Sequence, residues 1–240
     1  MTRKDYRLRA PFFGRGRLDI GLLRRFLRFG FPAGAQAFVE ISGYAVFLLL
    51  VGRLGSVELA ATTIAFNISN LAFMPMLGFS LGVSVLVGQA QGEGSPARAT
   101  TAAWSGIHFT LAYSAFFIVL YLLTPDLFIR PFSAGHEAEF QEIRRHAVVL
   151  LRFVAAYSLF DTLNIIFSGA LKGAGDTRFI IRAMLAMTAF ALVIPAALAV
   201  SWFGAGLYTV WTIMTVEVSL LGSLFYLRFR GGRWKAMRVI

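Results

Sequence analysis

Arg145–Leu171 reads RHAVVLLRFVAAYSLFDTLNIIFSGAL. It is apolar nearly throughout and long enough, at about 1.5 Å per helical residue, to cross a hydrocarbon core about 30 Å thick. Near its middle stands Asp161, an acid where acids are expensive, and such a residue reads first as part of a cation or proton pathway. A second acid in a like setting is Glu40, inside Phe31–Leu54. The fold follows from how often this pattern of long apolar runs recurs.

It recurs six times, over Phe31–Leu54, Leu59–Gln89, Arg98–Leu123, Arg145–Leu171, Arg178–Val200 and Ala205–Leu227. Short Gly-, Ser- or Pro-bearing segments separate most of them, and the longer, mixed-charge connection Thr124–Arg144 separates the third from the fourth. The expected fold class is an all-α membrane protein, a six-transmembrane-helix bundle. Composition agrees, with 58% hydrophobic and only 15% charged residues in a chain of 240, where a soluble domain would need more charge to cover its surface. The net charge of +11 does not point to nucleic acid, because the basic residues sit at the chain ends and between apolar runs. With no cysteine, disulfides, thiolate metal sites and cysteine nucleophiles are excluded. The basic N-terminal stretch lacks the short apolar core and cleavage site of a signal peptide.

Lys and Arg divide 18 to 4 between the two sets of alternating loops and termini. The positive-inside rule then places both termini on the cytoplasmic side of the plasma (inner) membrane. Residues 1–30 read as a basic cytoplasmic linker, 31–227 as the six-helix lobe and 228–240 as a basic tail. Within the linker, Leu18–Phe29 alternates Leu18, Leu22, Phe26 and Phe29 with Arg24, Arg25 and Arg28. That pattern suits either a helix lying on anionic membrane lipids or a basic anchor before the first span. Pro75 and Pro195 each predict a bend, since proline removes a backbone donor and crowds the preceding turn.

Two polar stripes carry the chemistry. Pro32 is expected to open the first helix, which puts Glu40 about 12 Å deep, and Asp161 lies about 15 Å from the cytoplasmic end of its own span. Gln36, Glu40 and Tyr44 share one helix face; Tyr157, Asp161, Asn164 and Ser168 share another. Oxygen-rich stripes of this kind suit Na⁺, and they suit H⁺ equally, because burial brings a carboxylate into a usable titration range. Packing acids hydrogen-bonded between helices are the structural alternative. Glu217 is a possible accessory acid. Asn67 and Asn70 read as interhelical glue, His108 as a buried donor or a relay, and Arg152 as a snorkelling side chain facing away from Asp161. The segment Gly169–Arg178 (GALKGAGDTR) matches no phosphate-binding fingerprint and reads as a tight turn. No catalytic residue, organic cofactor or enzymatic activity is expected. The metal reading is limited to Na⁺ at Glu40 and Asp161.

Four segments resemble the multidrug and toxic compound extrusion (MATE) family, and specifically its C-terminal half: GFPAGAQAFVE (Gly30–Glu40); VGRLGSVELA (Val51–Ala60) with PMLGFSLGVSVLVGQAQGEG (Pro75–Gly94); DTLNIIFSGALKGAGDTR (Asp161–Arg178); and GRWK (Gly232–Lys235). The resemblance implies a twelve-span antiporter of two six-helix lobes that exports organic cations and drugs against Na⁺ or H⁺. It also implies that Glu40, Tyr157 and Asp161 are the cation-coupling residues. The first lobe is missing from this chain, and there is no internal duplication. The implied partners are therefore membrane lipids, a missing N-terminal lobe or a second copy, and cationic small-molecule drugs. Alternative readings are a lipid-linked sugar flippase of the same superfamily, which should prefer basic residues in its cavity; an intramembrane lipid enzyme, which should hold its acids near a membrane face; and a non-functional truncated fragment.

Overall fold

The computed structural model describes residues 20–133 and 137–237. The first 19 residues of the expected linker lie outside this range, as do the side chains that define most of the Leu18–Phe29 pattern. The architecture is all helical: α1 (Ile20–Gly52), α2 (Ser56–Gly92), α3 (Pro96–Leu123), a short α4 (Pro125–Ile129), α5 (Glu137–Gly173), α6 (Thr177–Met187), α7 (Ile194–Phe203) and α8 (Leu207–Arg230). A π-helical stretch, Thr188–Val193, joins α6 to α7. Among the described residues, counting α6 through α7 as one, six helices are long and apolar enough to cross a membrane.

Three expectations change. Pro32 does not open α1, because the helix is already formed at Ile20 and carries the proline within it. The connection expected over Thr124–Arg144 does not run to Arg144: α4 and a 3₁₀ turn (Arg130–Phe132) occupy its first part, and α5 has begun by Glu137. Asp126 of α4 accepts two hydrogen bonds of 2.7 Å from the Arg144 guanidinium at the head of α5. This pair holds the Asp126 carboxyl below the usual carboxylate range and closes the connection into a compact corner. His108, third, is exposed rather than buried and lies beside Trp104.

The prolines act differently from one another. Pro75 is accommodated inside an unbroken α2. Pro195 sits in the first turn of α7, and the chain before it is wound as the π-helix. A proline deprives the preceding turn of one hydrogen bond, and widening that turn by a residue absorbs the loss.

The long helix α5 is central, packing against α2, α3 and α8, while α1 lies chiefly along α6 and the π turn. Hydrocarbon does not drive apolar helices together, so their association depends on close packing. Small residues provide it. A Cβ on Gly169 or Gly173 of α5 would run into Ser80 or Ser84 of α2, and one on Gly222 of α8 into the Phe160 carbonyl of α5. Gly173→Leu should therefore wedge α2 from α5 and lower thermal stability by about 1–3 kcal/mol or more. Gly82→Leu, where a Cβ meets nothing within 4 Å, should not. Melting of the detergent-purified chain, followed by fluorescence-detected size exclusion, separates the two; equal melting curves would refute the close-approach argument.

The apolar core divides into two clusters. One gathers around Phe47, Leu150, Trp211 and Val210, the other around Ile107, Ile166, Phe167 and Phe225. Beyond the second cluster the chain end folds back. Trp234 is fully buried and stacked on Phe229 at 4.8 Å, and its indole N–H donates to the Phe229 carbonyl at 2.7 Å. Gln91 of α2 donates to the Trp234 carbonyl at 2.9 Å. The turn after α5 is tight, as expected: Asp176 N–H donates to the Leu171 carbonyl, and Gly175 takes the left-handed conformation at φ 87°. Arg228 of α8 pairs with Asp176 at 2.7 Å and lies over the Phe179 ring.

Candidate functional site

The two apolar clusters leave a polar layer between them. On α5 the first cluster ends at Tyr157 and the second begins at Ile166. On α8 the corresponding limits are Met214 and Leu221; on the fifth span they are Leu192 and Met184. Asp161, Glu217 and Thr188 fall in these three gaps. Glu40 of α1 joins them, and one cavity of about 170 Å³ is lined by Glu40, Asp161, Asn164, Thr188 and Glu217 together with Tyr44. Three helices thus each deliver a carboxylate to one space.

Local packing explains the placement. Gly43 lies one turn from Glu40, and a Cβ there would meet the Thr188 methyl. The bare glycine lets α1 seat against the π turn, and the seating turns Glu40 and Tyr44 toward α5 and α8. The π-helix matters in turn, because a widened turn displaces the following side chains and is frequently found at functional sites.

A wider cavity of about 640 Å³ shares two of these acids, Glu40 and Asp161. Glu40, Asp161, Tyr157, Ser69 and Asn70 give it polar points, and its remaining wall is aromatic, methionine and aliphatic, including Phe66, Phe73 and Met74. Tyr157 is 6% exposed, with its hydroxyl 3.4 Å from that of Ser69. Asn164 donates to Asp161 at 3.2 Å. Behind the wall, Trp211 stacks on Phe66 at 5.1 Å and donates to Thr62 at 3.2 Å. A third, smaller cavity of about 70 Å³ adds Gln36 and Ser168 to Glu40, Asp161 and Asn164.

Every residue of the two polar stripes therefore lines these connected spaces: Gln36, Glu40, Tyr44, Tyr157, Asp161, Asn164 and Ser168. Glu217, read as accessory, is 7% exposed and lines the same cavity as the two principal acids. Arg152 is exposed and lines none of the three cavities, as its offset from Asp161 requires. Asn70, read as glue, lines the wide cavity instead. Two participants were not singled out from the sequence. Thr188 carried no signal within an apolar run, and Lys172, counted among loop charges, lines the smallest cavity. Among the described residues the acids do not close into a cluster that could hold a metal ion together.

Fold and site define a class: a multi-pass helical membrane protein whose bundle encloses a carboxylate-lined cavity. The MatE family model matches residues 32–214, and the chain belongs to that family. Curated relatives are named probable multidrug resistance protein NorM. The one from Pseudomonas putida is 35% identical over 69% of this chain and 36% of its own length. That from Brucella suis biovar 1 is 29% identical over 92% of this chain and 47% of its own length. The chain thus spans less than half the length of these relatives. Among solved structures, a eukaryotic MATE transporter superposes with a TM-score of 0.80 at 20% identity, over 92% of this chain and 49% of that one. An outward-facing multidrug resistance MATE transporter of the MOP superfamily superposes with a TM-score of 0.80 at 19% identity, over 99% of this chain and 50% of that one. These structures share the fold.

Proposed function

We propose that this chain works as the C-terminal six-helix lobe of a cation-coupled multidrug antiporter, exporting organic cations against Na⁺ or H⁺. The observation that carries the proposal is the convergence of Glu40, Asp161 and Glu217 from three helices on one cavity that opens into a wider space walled by aromatic and methionine side chains. Carboxylates give an ion its site; flat, polarisable walls give amphiphilic cations of varied shape a surface to rest on. The names of the curated relatives point the same way.

In this reading, Glu40, Tyr157 and Asp161 form the site for the coupling ion, with Asn164 orienting Asp161 through the hydrogen bond it donates. The lobe rocks against a partner lobe, and the ion drives that motion only through its different affinity for the two states. Among the described residues the wide cavity carries Glu40 and Asp161 and no Lys or Arg, which does not favour an anionic, pyrophosphate-linked substrate. The test is ion-driven export of a cationic dye from vesicles carrying this chain with a matching first lobe; no export under either a Na⁺ or an H⁺ gradient overturns the proposal.

Orientation belongs to the same proposal. The 18 to 4 division of basic residues supports a lobe with both ends in the cytoplasm. Reporter fusions at Gly204 and Ile240 should then lie on opposite sides of the membrane, with the alkaline phosphatase fusion active only at Gly204. Activity at both or neither would refute the topology.

A further inference from the structure

The smallest cavity has a wall chemistry of its own. Ser80 of α2 and Ser168 of α5 both donate to the Ile165 carbonyl, at 2.7 and 3.0 Å. Their single protons are thereby used, and each hydroxyl has only lone pairs left to offer. Asn164 spends an amide proton on Asp161, which leaves its carbonyl oxygen available. With Glu40 and Asp161 the cavity becomes a run of acceptors extending from the acid layer toward the end of α5. At that end stands Lys172, the basic side chain of the lining. Asp161, Asn164, Ser168 and Lys172 follow one another by three, four and four residues, so they share one face of α5. The Lys172 ammonium interacts electrostatically with Glu40, and the side chain is exposed and forms no ion pair among the described residues.

We propose that Lys172 is a tethered competitor for the coupling ion: its ammonium enters the acceptor-lined cavity as the ion leaves the Glu40–Asp161 pair, and withdraws as the ion returns. The proposal rests on the cation-site reading given above. Physically, the two carboxylates of this cavity, with Glu217 close behind them, cannot remain uncompensated at small cost. An ammonium is three donors with no acceptor, which complements a wall of acceptors, and its flexible four-carbon stem allows it to move. Gly169 and Gly173 hold the end of α5 tightly against α2, so the cavity wall is fixed and the lysine is its mobile part. The titratable groups that share this cavity with Lys172 are Glu40 on α1 and Asp161 on α5; Glu217 on α8 borders the neighbouring cavity with the same two acids.

The experiment uses the purified full chain and dicyclohexylcarbodiimide, which modifies protonated buried carboxyls, with labelling read by intact mass. Labelling is followed against Na⁺ concentration and against pH. If Lys172 competes with the ion, Lys172→Met and Lys172→Gln should lower the half-protecting Na⁺ concentration about tenfold, or raise the labelling midpoint by about one pH unit for a proton-selective site, as removal of one nearby positive charge demands. Lys172→Arg should stay near the parent, which a packing role for the stem alone would not require of the guanidinium. Asp161→Asn serves as the control. If Asp161→Asn leaves the transition unchanged, the underlying ion site is wrong. If the transition needs Asp161 yet both neutral Lys172 variants match the parent, the ion site stands and the competitor role is overturned. It is equally overturned if Lys172→Arg behaves like the neutral variants.

Discussion

Asp161→Asn, made in this chain joined to a matching first lobe, should reduce ion-driven export of a cationic dye by at least about a hundredfold, to background, while leaving the amount of folded protein nearly unchanged. The asparagine has the shape of the aspartate and can still accept from Asn164, so the packing around Tyr157 and Thr162 should hold. What disappears is the charge. An ion drives a conformational change only through its differential binding free energy, and a site that loses its principal carboxylate loses most of that difference: about 3 kcal/mol corresponds to the hundredfold change, at about 1.4 kcal/mol per factor of ten. Glu40→Gln should act in the same direction. Glu217→Gln should have a smaller effect, since Glu217 borders only the inner cavity and not the wider one. Initial rates in everted vesicles under an imposed Na⁺ or H⁺ gradient give the measurement. Parental rates for Asp161→Asn under both gradients would remove Asp161 from the coupling site.

The acids were legible in the sequence because charge in an apolar run is conspicuous and helical spacing turns a linear pattern into a face. Glu40 and Asp161 needed no structure to be paired, and Gln36, Tyr44, Asn164 and Ser168 followed from them by spacing alone. Glu217 was visible but not ranked, because its neighbours along α8 are apolar and its partners belong to other helices. Thr188 was invisible for a different reason. Its importance comes from the π turn before Pro195 and from the missing side chain at Gly43, a contact between two segments far apart in the chain. Lys172 was misfiled rather than missed: a lysine beside a glycine-rich turn looks like a loop charge, and only the length of α5, which continues to Gly173, places it on the same face as Asp161. The short α4 and its Asp126–Arg144 pair escaped because five residues of helix leave almost no periodicity to read. Pro32 misled in the opposite direction, since a proline that can start a helix can also be carried within one whose flanking turns are otherwise satisfied.

This chain alone should export nothing, and the same chain supplied with a matching first lobe should export. The wide cavity is the reason. Its wall comes from α1, α2, α5 and α8, and the outer surfaces of α1 and α2 beside it carry large exposed apolar side chains, among them Phe38, Ile41, Leu71, Met74 and Leu81. One lobe gives one wall. In a bilayer, Glu40 at such an open wall would face lipid, where a charge costs several kcal/mol; a second lobe, or water held by it, removes that cost. Dye export should therefore depend steeply on the partner lobe and be indistinguishable from empty vesicles without it. Co-expression of the two lobes as separate chains, against each alone, is the measurement. If this chain pumps by itself, the second wall must come from a second copy. Cross-linking through cysteines placed at Phe38 and Met74 should then yield a covalent dimer, and a half-transporter needing an unlike partner would no longer describe it.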